Sequence, residues 1–355
     1  MFAALAAMVA PASPLLGQAS GGDGTIYMAT YDKAITVIDE ATLTVRGKIP
    51  LQSGIPNELL LSPDRKRLYV IDATNQQVET VDLEQARSVD RFTLTDGRTQ
   101  VRMNGVQVAP DGSYAVFATR AYTKGRDRYD IGPSVLLRYD MQRKQVTDTI
   151  PWPDDKERNR VRMMFSPDGS LLYLFAGDIV ALETHGFTEV DRWELSEPFE
   201  PGLGRLGFGF PTNFYEEPGI HTGLFRITDP VQNRRMMGVA RVDMAARDVD
   251  FYTLGPSEPV GFTLAPDGKK AYGLYSEIGR YEFWTFDLEG RRVENRQPFE
   301  GRPRMGLLTS TNGELLYILR AGATIDVYDA NTYQHQRTVT LDVDMQGYIL
   351  VPSAQ

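Results

Sequence analysis

The stretch SPDGSLLYLFAGDIVALE, from Ser166 to Glu183, decides the fold. Its opening is a tight turn, because Pro167 presets one backbone dihedral while Asp168 and Gly169 accept the others. An apolar run containing Tyr173 follows, and then a second one, IVAL, closed by the acid Glu183. Short apolar runs bounded by turn signals read as strands.

Both halves of this stretch recur along the chain. The turn appears as Ser62-Pro63-Asp64, Ala109-Pro110-Asp111-Gly112 and Ala265-Pro266-Asp267-Gly268, with Ser310-Thr311-Asn312-Gly313 as a drifted copy. Tyr69, Tyr272 and Tyr317 stand where Tyr173 does, and Val116 takes that place in the remaining copy. The acid-closed strand ends at Asp39, Asp82, Asp140, Glu183, Asp243, Asp287 and Asp329, at separations of 43, 58, 43, 60, 44 and 42 residues. Each copy leads through a short turn into another strand, so one repeat holds four strands, the content of a propeller blade. An acid present once per blade is read as a turn-former, not as a metal ligand.

The ends complete the count. Thr25-Ile26-Tyr27-Met28 corresponds to a second strand and Gln346–Pro352 to a first strand. Blade one is therefore expected to be closed by both termini, which removes the free sheet edges. The expected fold is all-β: a seven-bladed β-propeller of four-stranded antiparallel blades. Residues 1–19, MFAALAAMVAPASPLLGQA, are uncharged, and the first charge is Asp23. The apolar run Phe2–Ala10 is shorter than the ~20 residues that span a bilayer. Gly17-Gln18-Ala19 has the small-x-small form of a cleavage site. Although a basic n-region is missing, 1–19 is expected to be a signal peptide and 20–355 a single propeller domain outside the cytoplasm, with no membrane insertion once the leader is removed.

Composition narrows the chemistry. The 355 residues include 47 acidic and 38 basic ones, for a net charge of −9, and no Cys. That excludes a disulfide framework, a thiolate zinc site, an iron–sulfur cluster and covalent c-type haem. It also lacks the electrostatic footprint of a nucleic-acid binder. Nucleophile elbows, P-loops and H-E-x-x-H motifs are missing. His185 and His335 fall in expected turns after a third strand and His221 in an insert on the opposite face, so no catalytic residue and no metal ligand is assigned.

Two regions on one face are candidate sites. In a four-stranded blade the connections between strands two and three lie on the same face as those between blades. The long repeats carry their extra residues there, as loops at Arg120–Ser134 and Asp229–Met237, joined by Pro151–Arg160 and Glu197–Leu203. Aromatics mixed with arginine suit a partner interface: Tyr122, Arg126, Arg128, Tyr129, Trp152, Arg234 and Arg235. A further insert, Pro211–Thr222, is expected on the opposite face. The start of each first strand sets the channel mouth, giving Asn57, Asn104, Arg160, Arg205, Pro259, Arg304 and Gln346. Three arginines round one opening suit an anionic ligand or an acidic partner surface.

The pattern Ser-Pro-Asp-Gly-x-x-Leu-Tyr followed by an acid-closed strand resembles that of YVTN-type bacterial propellers. More narrowly, the chain resembles the β-propeller subunit of quinohemoprotein amine dehydrogenase, related to the methylamine dehydrogenase heavy chain. The resemblance runs from about Thr25 to Pro352. It is strongest in the insert before LLRYD, in LGFGFPTNFYEEPG, in LFRITDPVQNRRMMGVARVD, in AYGLYSEIGRYEFWTFDLEG and in DVYDANTYQHQRTVTL. It implies a periplasmic structural subunit with no cofactor of its own, assembled with separate quinone- and haem-bearing subunits. No catalytic motif carries over onto a numbered residue. Two other classes remain open: a stand-alone extracytoplasmic binding propeller using the arginine mouth, and a lactonase-like hydrolase. The latter calls for a His, Glu and Asn cluster or a calcium site at the mouth.

Overall fold

The computed structural model describes residues 20–159, 161–195, 206–208, 217–229, 233–320 and 322–353. It forms seven four-stranded antiparallel sheets. Blade 1 runs, from the channel outward, Met345–Val351, Thr25–Thr30, Ala34–Asp39 and Thr44–Pro50, so both ends of the chain meet in one sheet as expected. Blades 2 to 7 each take four consecutive strands, beginning at Pro56–Leu61, Thr99–Val108, Arg162–Phe165, Leu206–Phe208, Thr263–Leu264 and Gly306–Thr309. Among the described residues the only helix is a single turn, Pro153–Asp155, and none is long and apolar enough to cross a membrane.

The second and third strands of each blade are nearly continuous in apolar residues because both of their faces are covered. In blade 1, Ile26, Met28 and Ile38 face blade 7, where they meet Leu308, Tyr317 and Val327. Ala29 and Ile35, on the other face, pack against Leu68, Val70 and Val81 of blade 2. A hydrophobic cluster of this kind fills each of the seven junctions between blades, which closes the ring. Fourth strands face solvent and alternate instead, as in Arg87–Thr93. The recurring tyrosines Tyr69, Tyr173, Tyr272 and Tyr317 are all buried in second strands.

Both turn classes take the chemistry read from sequence. Ser62, Ser166 and Ser310 donate to Asp64, Asp168 and Asn312 two residues on, at 2.5, 2.5 and 2.8 Å. The drifted copy at Ser310 thus keeps the geometry of the others. Hydrogen bonds from Ser166 and Ser170 hold the Asp168 carboxyl down at about 2. The strand-closing acids accept backbone N–H bonds from the turns that follow them: Asp39 from Thr42, Asp82 from Gln85, Asp140 from Arg143, Glu183 from Gly186. Asp243, Asp287 and Asp329 do the same with Ala246, Gly290 and Thr332. Four residues past each acid the backbone enters the left-handed region, at Leu43, Ala86, Lys144, Phe187, Arg247, Arg291 and Tyr333. The acid holds the turn in which that conformation is imposed, which is why it recurs once per blade.

Ring closure has a device beyond strand pairing. Glu40, fully buried, accepts from the Gly24 N–H at 2.8 Å, the Thr311 N–H at 2.8 Å and the Thr311 hydroxyl at 2.5 Å. It ties the first strand of the chain to blade 7. A Cβ on Gly21 would fall 1.6 Å from the Tyr317 hydroxyl, and one on Gly24 2.6 Å from the Glu40 carboxylate, so glycine is required for this approach.

Candidate functional site

The connections between second and third strands and those between blades share one face, as the antiparallel order requires. The expected loop at Arg120–Ser134 is a correction: it is a β-hairpin. The strands Tyr114–Lys124 and Tyr129–Asp140 are 11 and 12 residues long, about twice the length of their counterparts in blades 1, 2 and 4. Arg120, Tyr122 and Lys124 pair with Ser134, Ile131 and Tyr129 across it. Blade 5 repeats the device, with Ile220–Asp229 paired to Arg234–Asp243 in place of a loop at Asp229–Met237. Extra residues on a two-stranded connection continue the ladder because that satisfies their backbone groups. Blade 4 stands between these two and turns at once through Gly177, so its edge is low and flanked by both hairpins.

The two hairpins carry most of the residues expected at a partner interface. Tyr122 and Ile131 are directly opposed and therefore share a face, and Tyr129, two residues from Ile131, shares it too. Ile131 is 63% exposed and Tyr129 50%. The Arg102 guanidinium lies 4.9 Å from the Tyr122 ring centre. Arg126, Arg128, Arg234 and Arg235 are exposed. Trp152 is a second correction. It is 8% exposed, sits in the core between blades 3 and 4, and donates its Nε1–H to the Ser134 carbonyl at 2.7 Å. An indole beside two prolines at a blade junction buries its ring and needs one acceptor for its N–H. Ion pairs line the low edge nearby: Arg192 meets Glu189 at 2.7 Å, Asp178 at 3.5 Å and Asp154 at 3.6 Å, and Arg158 meets Asp154 at 3.2 Å.

At the channel mouth the structure gathers three of the expected residues. Gln346 donates its amide N–H to the Asn57 side-chain oxygen at 2.9 Å and accepts from the Tyr31 hydroxyl at 2.7 Å. Arg304 and Gln346 line one cleft of about 720 Å³ between blades 7 and 1, together with Tyr31, Arg302, Arg320 and Asp344. Asn57 and Asn104 line a second space of about 440 Å³ on the inner strands of blades 2 to 4, with Arg162. Pro259 is exposed at the start of blade 6. Arg160, Arg205, Glu197–Leu203 and residues 211–216 of the insert expected on the opposite face lie outside the described residues. A Cβ on Gly347 would come 2.7 Å from the Asn57 carbonyl, which shows how closely the inner strands of blades 1 and 2 approach at the channel.

Arg302 and Arg320 lie off the first strands, Arg302 on a connection between blades and Arg320 just past the second strand of blade 7. Arg302 is committed to structure, donating to Asp326 at 2.5 Å and to the Thr324 hydroxyl at 2.7 Å. Burial opposes ionisation of Asp326, but the bonds from Arg302 and Thr338 hold its carboxyl below the usual range. Beside Arg320, burial pushes the Tyr348 phenol up to about 12 against the pull of that guanidinium.

The histidines are dispersed. His221 is fully buried in the second strand of blade 5, not in an insert, and its ring lies 5.0 Å from that of Phe175. His185 is exposed in a turn, while His335 opens the outer strand of blade 7 instead of sitting in a turn. Among the described residues no three His, Asp or Glu side chains gather as a metal would need.

No family model and no curated protein sequence matches the chain. Solved structures do. The chain is similar to hydrazine synthase of Kuenenia stuttgartiensis, with 16% identity and a TM-score of 0.52 over 92% of this chain and 94% of that one. It is similar to the dihydro-heme d1 dehydrogenase NirN, with 13% identity and a TM-score of 0.54 over 96% and 77%. AztD of Citrobacter koseri matches with 14% identity and a TM-score of 0.55 over 92% and 98%. The likeness is one of fold. The chain is a seven-bladed β-propeller.

Proposed function

We propose that the chain is the non-catalytic propeller subunit of a periplasmic amine-dehydrogenase-type oxidoreductase, a scaffold for subunits that carry the quinone and the haem. The observation that carries this reading is the blade 3 hairpin. It lifts Tyr122, Tyr129 and Ile131 onto one exposed face, beside a low blade and a second arginine-bearing hairpin. Exposed aromatic and aliphatic anchors beside arginines are the composition of a protein contact. The resemblance in the uneven blades 3 and 5 points to the same region.

The test is assembly. Ile131→Asp with Tyr129→Ala should abolish co-purification of the cofactor-bearing chains while leaving the melting temperature of the isolated ring unchanged. Assembly at the wild-type level would remove this face as the interface. The second reading, a stand-alone binding propeller, is favoured by the arginine cleft at the mouth and needs no partner chain.

A further inference from the structure

We propose that the cleft between blades 7 and 1 is a binding site for a small anion carrying two or more carboxylate or phosphate groups, gripped by Arg304 and Arg320. This site belongs to the ring itself and stands whether or not partner subunits exist.

The first ground is charge. Of the three arginines lining the cleft, Arg302 is bound to Asp326. Arg304 and Arg320 are exposed and form no ion pair among the described residues, and Asp344 is the one carboxylate in the lining. On a chain of net charge −9, two uncommitted guanidiniums in one concavity form a local positive spot. The cleft between blades 1 and 2 on the same face, about 820 Å³, is lined by Lys33, Asp72 and a single arginine, Arg91, where the blade 7 and 1 cleft has three. There Asp72 accepts four bonds, from Thr74, Gln76 and Gln77, and Arg91 donates to the Gln52 carbonyl at 3.1 Å.

The second ground is backbone conformation. Arg304 has φ 65° and Arg320 φ 68°, in the left-handed region that L side chains avoid. Pro303 followed by Arg304 has the pattern of a type II turn, in which the second central residue is normally glycine. The acid-capped turns explain seven other residues of this kind, but neither arginine belongs to such a turn. Arginine occupies two positions where glycine would relieve strain, a conformation also taken outside the acid-capped turns by Lys33, Arg65 and Asn75, and strain of this kind is found at functional sites.

The third ground is positioning. A Cβ on Gly306 would lie 3.1 Å from Arg320 Cδ and 2.8 Å from the Tyr348 hydroxyl. Gly306 therefore makes room for the Arg320 stem beside Tyr348, and the guanidinium is seated at the mouth. Tyr31 and Gln346, both in the lining, are hydrogen-bonded to each other, and Gln346 is held from behind by Asn57. Guanidinium forks pair with carboxylate and phosphate in bidentate fashion, and about 720 Å³ admits more than a single inorganic ion.

Calorimetric titration of the purified full chain with citrate and with pyrophosphate, against sodium chloride of matched ionic strength, tests the site. Saturable one-site binding of either probe is expected, and which probe binds tells carboxylate from phosphate. R304G and R320G should each weaken it about tenfold or more, the loss of one bidentate charged contact. Both variants should melt, without ligand, at the wild-type temperature or above it, because glycine relieves the backbone. R304Q, which keeps the strain and removes the charge, should lose binding as R304G does. No saturable binding of either probe at ~10 mM, a concentration that reveals even millimolar affinity, would overturn the proposal. So would binding that survives R304G and R320G unchanged.

Discussion

Glu40→Ala should loosen the closure of the ring. The carboxylate is fully buried and serves four donors, the Gly24 N–H, the Thr311 N–H, the Thr311 hydroxyl and, at 3.4 Å, the Tyr317 hydroxyl. Truncation leaves the Gly24 N–H buried without its acceptor, which costs ~2 kcal/mol, and the partly buried Thr311 groups add ~1 kcal/mol. The unfolding entropy of a ring of this size is roughly 0.7 kcal/mol per degree, so a loss of ~3 kcal/mol lowers Tm by about 4 °C. Amide exchange adds a local readout, since the Thr25–Thr30 amides should exchange faster while those of Leu172–Phe175, across the ring, stay protected. Burial also raises the Glu40 pKa above 4.5, against the hydrogen bonds from Thr311 and Gly24. An acid with a raised folded-state pKa contributes stability that is full below the unfolded value and is lost as pH rises through the folded one. Wild type should therefore lose part of its margin as pH rises from 4.5, and Glu40→Gln should not show that loss. A Tm shift under ~1 °C for Glu40→Ala, with unchanged exchange in the first strand, would refute the latch.

Two further outcomes follow from individual side chains. Trp152→Ala should cost ~3–5 kcal/mol, the range for removing a large buried aromatic, and a thermal melt reads it; an unperturbed Tm would return Trp152 to the surface. Asp168→Asn should destabilise the protein at neutral pH and lose its effect in acid. The native carboxyl sits at about 2 against an ordinary 3.8, so its contribution is present above 3.8 and vanishes as pH falls through 2. Urea titrations at pH 7 and at pH 2 compare the two, and a difference as large at the lower pH as at pH 7 contradicts the turn account.

The fold was legible because its signals are local. A serine two residues before an aspartate, or an acid four residues before a left-handed residue, specifies a turn whatever the rest of the chain does. Seven copies of that chemistry, with the split first blade, left one architecture. The sites were less legible because exposure is a property of neighbours. Trp152, read as an anchor, lies inside a blade junction, while Ile131, unremarked in the sequence, is the most exposed apolar residue of the blade 3 hairpin. Its alternation with Tyr129 was the available signal. Counting back from the turns points to Asn57, Arg304 and Gln346; Gln346 bonds to Asn57 and shares a cleft with Arg304, but Arg320 enters that cleft from just beyond a second strand, and no spacing rule points to it. Glu40 and Glu79 were hidden for the opposite reason. Each reads as an ordinary surface acid, yet each is fully buried and binds backbone N–H groups across a junction, Glu79 those of Gln52 and Ser53.

The most direct test of the scaffold reading is the intact mass and visible spectrum of the protein purified natively from its source. The account expects a hetero-oligomer in which this colourless ring co-elutes with a quinone-bearing chain and a haem-bearing chain. A single colourless species of the ring alone would contradict it.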